Sequence, residues 1–446
     1  MGESSRRAAR PKPKNFKHFG RIAYPTLVFS QPRPGGGRSG RGIDSTMPDF
    51  SFSFSRALTA PAAASELAIA AEINLGGAGE VGGALLLSTA ASGSQGPGVG
   101  RVLFERWPGA EVVGTSFEGL VSDGRVWRDE PAFGLLAWRT RDREPAIVVF
   151  EPGEHAAERI AAGILAAVGV VSLGPSDLVL LFPDAHGLPP IDTLLSPLEA
   201  HLGGPAIAGA AASGVDGAPP RVWVGSEAWG GGGLIGIVVP GRADASGVSS
   251  LVRTAGATRA ASSWLGVTSC RSRWIDRLEG DFALQRLRRE LDLDPREPLE
   301  PYLGRLLVRV RRAGGHSNVA PDEAHDEERY IVGVDDRRSA FSIPIEVERG
   351  DMIALAWPDA GLAREGLRGS LEEIGVSPWL LQFSCRSRGE GLHGDDDLES
   401  AWVASHAVGR RVLGTVAPFQ LGPAPGAAED CRMLVHSSVL AALVGS

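Results

Sequence analysis

The chain has 446 residues, of which 43% are hydrophobic and 22% are charged, and its formal net charge is −8. This composition is typical of a globular protein of two or three domains, and the negative charge argues against nucleic acid as a partner of the folded part. The longest apolar passages, such as residues 160–171, are shorter than the roughly 18 residues that a membrane-spanning helix needs.

The three cysteines, Cys270, Cys385 and Cys431, predict neither a disulfide framework nor a zinc site. Their number is odd, their spacing is wide, and no histidine stands at ligand spacing from any of them. We therefore expect a reducing, cytoplasmic setting, and the sequence predicts no cofactor and no metal. The acidic run Asp395–Asp397 opens a helix, where carboxylates usually complement the helix dipole rather than bind a metal.

Residues 1–46 differ in composition from the rest of the chain. They are strongly basic and rich in proline, glycine and serine, so we expect a disordered basic leader without a packed core. A start at Met47 would fit equally, because strand-like alternation of phenylalanines begins at Phe50. A basic arm that touches nucleic acid is the alternative interpretation.

Residues 47–240 are predicted to contain two copies of one structural unit. The first copy has a strand at Phe50, a helix, a strand over 84–87, a second helix, and a strand that ends in the turn 114–119. Two more strands follow this turn. From the strand over 84–87 onward, the order is therefore strand, helix, strand, turn, strand, strand.

The second copy repeats this order with a clearer pattern. A buried strand, Leu178–Phe182, is closed by Pro183, and the helix after it carries its leucines on one face. The next strand breaks at Gly209 into a turn of small residues that contains Ser213. Two apolar strands complete this copy.

Residues 241–446 are predicted to contain an insert and a third copy. The insert contains strands and one amphipathic helix over 282–291, and residues 268–277 read as a single edge strand. The third copy starts with a strand over 352–357 and reaches its own turn at Gly414.

The turn glycines of the three copies are Gly114, Gly209 and Gly414. They follow Phe50, Ala146 and Met352, where strand-to-helix passages begin, by 64, 63 and 62 residues (114 − 50, 209 − 146, 414 − 352). This near-constant spacing indicates internal repetition of one supersecondary unit. The sequence therefore predicts an α+β fold, in which repeated strand-helix-strand-turn-strand-strand units form mixed sheets covered by helices.

The order of these units and several short passages resemble the FIST family. The passages are 114–119, 329–335, 350–352 and 383–389, and the resemblance extends from about residue 48 to the C-terminus. It implies a FIST N-terminal domain over 47–240 and a FIST C-terminal domain over 241–446. It also implies a bacterial sensory protein that binds a small ligand, such as an amino acid or a small acid, and acts on a signalling partner.

Six polar or thiol residues at turns after strand ends are the candidate ligand contacts. They are Glu118, Ser213, Cys385, Arg386, Arg388 and Gln420. Open mixed sheets tend to bind ligands at such ends, and a guanidinium can grip a carboxylate through two parallel hydrogen bonds. We expect the two arginines to anchor an anion, and Glu118 or Gln420 to receive an ammonium or amide. The competing interpretation is solvated loop polarity with surface ion pairs.

Gln420 marks a departure from the family pattern. The family usually carries Gly-Glu where this chain has Phe419-Gln420, so a carboxylate is missing at a turn expected to face the ligand. As a site residue, Arg388 is expected to tolerate replacement by alanine with little change in the melting temperature of the ligand-free protein.

No familiar catalytic motif occurs in the sequence. It contains no GxSxG elbow, no HExxH pair and no phosphate-binding P-loop, so we predict a non-enzymatic protein. The alternative is a hydrolase or transferase with Cys385 as nucleophile. Arg386 and Arg388 would favour its thiolate through their positive charge.

Overall fold

The computed structural model describes residues 50–140, 145–151, 156–186, 191–215, 218–231, 233–241, 251–294, 297–313, 326–375, 377–407, 410–425 and 430–443. All of them belong to one compact unit that spans residues 39–446. The predicted leader, 1–46, lies outside the described residues. Within the described part, no helix is long and apolar enough to cross a membrane.

The first unit is built of six strands and two α-helices. They are β1 (Phe50–Ser55), α1 (Ala60–Leu75), β2 (Val81–Thr89), α2 (Gln95–Arg106), β3 (Glu111–Phe117), β4 (Gly119–Ser122), β5 (Arg125–Trp127) and β6 (Phe133–Arg139). The second unit has the same number of each. They are β7 (Ala146–Phe150), α3 (Ala157–Val168), β8 (Leu178–Pro183), α4 (Ile191–Leu202), β9 (Ala206–Ala210), β10 (Arg221–Val224), β11 (Glu227–Gly230) and β12 (Leu234–Val239).

The third unit is interrupted after its first strand, β13 (Leu251–Ala255), by the insert. The insert comprises β14 (Thr258–Ala260), β15 (Leu265–Arg271), β16 (Trp274–Leu278), β17 (Asp281–Phe282), α5 (Ala283–Glu290), α6 (Glu300–Leu303), β18 (Leu307–Arg311), β19 (Glu327–Tyr330), β20 (Gly333–Asp335), β21 (Ala340–Ser342) and β22 (Met352–Pro358). The unit then continues through α7 (Ala360–Ile374), β23 (Trp379–Cys385), α8 (Glu390–His393), α9 (Leu398–His406), β24 (Arg411–Ala417), β25 (Gln420–Pro423), β26 (Cys431–Leu434) and β27 (Ser438–Leu443).

Three six-stranded sheets share one topology. Their strand orders are β1-β6-β2-β3-β10-β11, β7-β12-β8-β9-β25-β26 and β13-β27-β23-β24-β4-β5. Each sheet has one parallel pair, β2 with β3, β8 with β9, and β23 with β24. Four strands of each sheet come from one unit, and the last two are a hairpin from another unit.

This exchange of hairpins creates three corners where the chain leaves one sheet and enters the next. The corners lie between β3 and β4, between β9 and β10, and between β24 and β25. Two of the sheets therefore contain strands from before and from after residue 240 in the sequence. The division into two FIST-like domains at that residue stays a prediction, whereas the α+β class is confirmed by the mixed sheets and their helices.

The inner faces of the three sheets pack around one apolar core. Phe117, Phe182 and Phe383 each come from a different sheet, and the ring of Phe182 lies 5.7 Å and 5.9 Å from the other two, measured between centroids. The outer faces are covered by α1 and α2, by α3 and α4, and by α7 and α9. Since side chains alternate along a strand, each central strand supplies residues both to the inner core and to the layer beneath the helices.

The three predicted turn glycines lie inside strands, opposite the neighbouring parallel strand. Gly114 is paired with Leu86, Gly209 with Leu181, and Gly414 with Gln382. A Cβ atom on these glycines would lie 2.3, 1.9 and 2.0 Å from the carbonyl oxygen of the paired residue, so only glycine permits this close approach. The three positions match, while repetition of the whole unit stays a prediction.

The insert differs from the sequence prediction in two places. β22, expected to open the third unit, instead belongs to a nine-stranded sheet of the insert, and β13 takes the edge position beside β27. Residues 268–277 form parts of two strands, β15 and β16, which turn at Ser272 with a φ of 51°. An alternating pattern identifies a strand but not its partner, and a serine in the left-handed region gives little signal in a sequence.

We expect Gly209→Ala to lower the free energy of unfolding by at least about 2 kcal/mol, because its Cβ atom would force the backbones of β8 and β9 apart. The matched control is Gly369→Ala in α7, where the added Cβ meets no atom within 4 Å. It should gain about 0.5–1 kcal/mol from helix propensity. Urea unfolding followed by circular dichroism measures both, and equal stabilities of the two variants would contradict the prediction.

Candidate functional site

An ion pair at the corner between β3 and β4 brings two of the candidate residues together. Glu118 occupies this corner, and Arg386 follows the end of β23 in a short 3-10 turn. Arg386 Nη1 donates a hydrogen bond of 3.0 Å to Glu118 Oε1, and the two side chains are 59% and 20% exposed. The pair therefore joins the first and third units where solvent can reach it.

Cys385 lies directly beneath this ion pair and is buried. The hydroxyl of Ser387 donates to its Sγ atom at 3.1 Å, and the same hydroxyl oxygen lies 3.0 Å from His436 Nδ1. The carbonyl oxygen of Pro418, at the corner between β24 and β25, lies 3.7 Å from Sγ. The thiol is thus held in a chain of neutral hydrogen-bonding groups.

Two residues that sequence reasoning missed complete this chain. His436 has a φ of 52°, in the left-handed region that non-glycine residues seldom adopt, and such strained positions concentrate at functional sites. Tyr330, from β19 of the insert, places its ring 5.2 Å from the His436 ring. Both come from segments far from Cys385 in the sequence; Tyr330 lies in the passage 329–335 that carries the family resemblance, but nothing in that passage points to Cys385.

His436 and Tyr330 are both uncharged at neutral pH. Burial and the positive charge of Arg388 lower the pKa of His436 to about 4. Burial, reinforced by Cys385, raises the pKa of the Tyr330 phenol. Both effects follow from the cost of a charge in a poorly solvated place. The buried Nε2 atom of His436 has no hydrogen-bond partner among the described residues.

Ser213 and Gln420 lie at the other two corners and are fully buried. Ser213 exchanges hydrogen bonds with Ser116, which donates from its Oγ atom to the Ser213 carbonyl at 2.9 Å. Gln420 donates from its side-chain amide to the Ala417 carbonyl at 3.2 Å. In the described part of the chain, Ser213 Oγ and Gln420 Oε1 lack partners, which is uncommon for buried polar atoms.

Arg388 points away from the corner, to the outer face of the third sheet. Its Nε atom donates to Glu399 of α9 at 2.6 Å, and neither side chain is more than 3% exposed. Its Nη1 atom donates to the carbonyls of Ala255 and His436. The expectation that Arg388→Ala would leave the ligand-free stability unchanged is therefore wrong, because Arg388 neutralises a buried carboxylate.

The acidic run before α9 anchors a hairpin. The Asp397 carboxylate accepts a hydrogen bond of 2.7 Å from the backbone of Val126, and Asp396 forms a salt bridge of 3.3 Å with Arg128. These contacts hold β5 of the first unit against the third unit. Among the residues that the structure describes, no group of histidine, cysteine and carboxylate side chains is arranged to hold a metal.

A comparison with family models gives a match to the FIST N domain over residues 84–281. This part of the chain resembles a FIST N domain. A FIST domain implies a role in sensory signal transduction. The FIST match covers most of the first unit, the second unit and the start of the insert, so it includes Glu118 and Ser213.

A search of curated proteins finds no match to this chain. Among solved structures, the crystal structure of a cyanuric acid hydrolase from A. caulinodans is similar at a TM-score of 0.33. The two sequences are 11% identical, and the comparison covers 89% of this chain and 99% of the other. A likeness of this strength supports no conclusion about fold or function.

We expect Arg388→Met to lower the free energy of unfolding by about 3–5 kcal/mol, because the change leaves Glu399 buried without its counter-charge. Chemical denaturation at pH 7 measures this loss. The double variant with Glu399→Gln removes both charges and should recover much of the stability. A loss below about 1 kcal/mol would show that the pair is not desolvated.

The same pair should make stability depend on pH in acid. Burial alone would raise the pKa of Glu399, but the charge of Arg388 and hydrogen bonds from His393, Ser384 and Arg388 outweigh it and hold the pKa at about 2. This value lies below the ordinary 4.5, so the stabilisation is complete above pH 4.5 and is lost as the pH falls towards 2. Arg388→Met should flatten this part of the stability profile.

Proposed function

We propose that this protein is a non-enzymatic sensor that binds a small zwitterion, such as an amino acid, at the corner between β3 and β4. The observation that carries the proposal is the ion pair of Arg386 and Glu118, which presents one positive and one negative group side by side to solvent. A ligand carboxylate would bind Arg386, and a ligand ammonium would bind Glu118. A small acid without an ammonium would use Arg386 alone and bind more weakly.

Because Arg386 and Glu118 are accessible to solvent, a ligand can replace their contact with each other by contacts to its own charged groups. An exposed ion pair contributes only about 0–1 kcal/mol to stability, so a ligand that replaces each charge with its own loses little. The planar guanidinium of Arg386 can also form two parallel hydrogen bonds with a carboxylate, whereas the present contact to Glu118 is a single bond of 3.0 Å.

The groups below the pair supply hydrogen bonds rather than charge. Ser387 is uncharged, the shifted pKa values of His436 and Tyr330 keep both neutral at physiological pH, and His436 has a buried ring nitrogen that lacks a partner in the described part of the chain. We infer that the charged groups of the ligand bind Arg386 and Glu118 at the surface, and that its side chain is polar and uncharged. Ligand sites commonly lie where separate structural units meet, as the first unit, third unit and insert do here.

The contact of the insert with this corner supports a signalling role. Tyr330 and Phe419 pack against the apolar cluster of Leu307, Ala356 and Val435, which joins the nine-stranded sheet to the strands around the site. A ligand that touches Tyr330 would favour one position of the insert over others, and a protein partner that recognises this position would receive the signal.

We expect Arg386→Ala to abolish the rise in melting temperature that amino acids produce in the unchanged protein, because the carboxylate loses its anchor. The ligand-free melting temperature should stay within a few degrees, since the pair is exposed. A thermal-shift screen of amino acids and small acids measures both.

The matched control is Arg368→Ala. Arg368 forms an exposed salt bridge with Glu372 on α7, with side chains 67% and 70% exposed, and has no part in the corner. Its variant should keep the full ligand response. The proposal would be abandoned if Arg386→Ala responded as strongly as this control.

The enzyme alternative rests on the chain from Cys385 through Ser387 to His436. The geometry resembles that of a thiol and a base joined by a hydroxyl. However, a histidine with a pKa of about 4 is a weak base, and the thiol is only 1% exposed. We therefore favour binding over catalysis.

Alkylation of the three cysteines distinguishes these possibilities. We expect iodoacetamide at neutral pH to modify the half-buried Cys270 first, and the buried Cys385 and Cys431 slowly and at similar rates. Burial raises the pKa of the Cys270 and Cys431 thiols, so neither is activated. Peptide mass spectrometry measures the rates, and modification of Cys385 far faster than that of Cys270 would favour the enzyme interpretation.

A further inference from the structure

A small cavity lies on the outer face of the third sheet, between α7 and the segment that contains α8 and α9. Its volume is about 120 Å³. It is lined by Arg364 and Leu367 of α7, His393 of α8, and Leu398, Glu399 and Trp402 of α9. The cavity is separate from the corner between β3 and β4, because neither Glu118 nor Arg386 is among the residues that line it.

The walls and the floor of this cavity differ in character. Leu367, Leu398 and Trp402 make the walls apolar. Glu399 lies in the floor, but its Oε1 atom accepts from Ser384 at 2.8 Å and its Oε2 atom accepts from Arg388 at 2.6 Å. Because the Arg388 guanidinium compensates its charge, this carboxylate offers little attraction to a cation in the cavity.

Arg364 supplies the only uncompensated charge among the six lining residues. It is exposed, and its Nε atom donates to the carbonyl of Ala360 one turn earlier at 3.3 Å. No carboxylate in the described part of the chain lies within salt-bridge distance of its guanidinium. A positive group therefore stands at the rim of an apolar cavity, with its Nη atoms available for an anion.

We propose that this cavity binds a short branched monocarboxylate, with its hydrocarbon part inside and its carboxylate on Arg364. An apolar cavity of about 150 Å³ holds benzene, so a cavity of 120 Å³ holds a hydrocarbon group of roughly four or five carbon atoms. The four-carbon body of isovalerate matches that capacity. Larger acids would leave apolar surface in water, and shorter ones would leave the walls unfilled.

A ligand in this cavity would touch a buried chain of polar groups that reaches the corner site. Glu399 contacts both His393 and Arg388, and Arg388 donates to the carbonyl of His436 at 3.0 Å. His436 in turn contacts Ser387 beside Cys385. The two sites can therefore influence each other, although the cavity proposal does not depend on the function proposed for the corner.

The test is titration of the full chain with isovalerate, followed by saturation-transfer NMR. We expect saturable binding with a dissociation constant on the order of 1 mM, as suits a ligand of this size. Isovaleramide, which has the same shape without the charge, should bind about tenfold more weakly, because a hydrogen bond to a charged group is lost. Absence of saturable binding of isovalerate would overturn the proposal.

Three variants locate the site. Arg364→Gln should weaken isovalerate binding about tenfold, whereas Arg368→Gln, one turn along the same exposed helix face, should leave it unchanged. Leu398→Trp should abolish binding by filling the cavity from its rim, and the fold should tolerate it because Leu398 is 45% exposed. Unchanged affinity in both Arg364→Gln and Leu398→Trp would place the acid elsewhere.

Arg386→Ala separates this proposal from the corner site. That variant should bind isovalerate as the unchanged protein does, since Arg386 does not line the cavity. Loss of isovalerate binding in Arg386→Ala with retention in Arg364→Gln would assign the acid to the corner and overturn the cavity proposal. Failure of the amino-acid screen at the corner would leave the isovalerate result standing.

Discussion

The structure depends on the way its three sheets close around one core. Each sheet needs a hairpin from a different unit to be complete, so the strand that ends one sheet must bend and enter the next. At these bends the chain leaves the regular hydrogen-bond ladder, and side chains can satisfy the freed backbone groups: Ser116 Oγ donates to the Ser213 carbonyl and accepts from the Arg221 backbone N–H. The corners thus collect polar groups from distant parts of the sequence, as a binding site requires.

The third unit differs from the other two in the polarity of its outer face. The position paired with the strand glycine is Leu86 in the first unit and Leu181 in the second, but Gln382 in the third. Gln382 and Ser384 face Glu399, and Arg388 then compensates the carboxylate. Apolar packing of the same volume often stabilises a fold as well as a buried ion pair or better, so this pair is weak evidence of added stability, although removal of one partner alone would be costly.

Local patterns in the sequence predicted most strands, the helices that cover them, and the matching glycines. They also identified the segment after β23, but not where its side chains point. Cys385 is the last residue of β23 and contacts Ser387, whereas Arg386 and Arg388 lie two residues apart in the following 3-10 turn and therefore point to different sides, one at the surface and the other against α9. His436 and Tyr330 escaped prediction because only the pairing of distant strands brings them to Cys385.

The exchange of hairpins also governs the order in which the protein can fold. β4 and β5 belong to the first unit, yet their place is beside β24, near the other end of the chain. Contacts of such long sequence separation are slow to form, because a long loop must close before they are gained. During synthesis the edge of β4 would stay unpaired until residues 411–417, which form β24, leave the ribosome. We therefore expect slow, concentration-sensitive refolding and a need for protection of that edge in the cell.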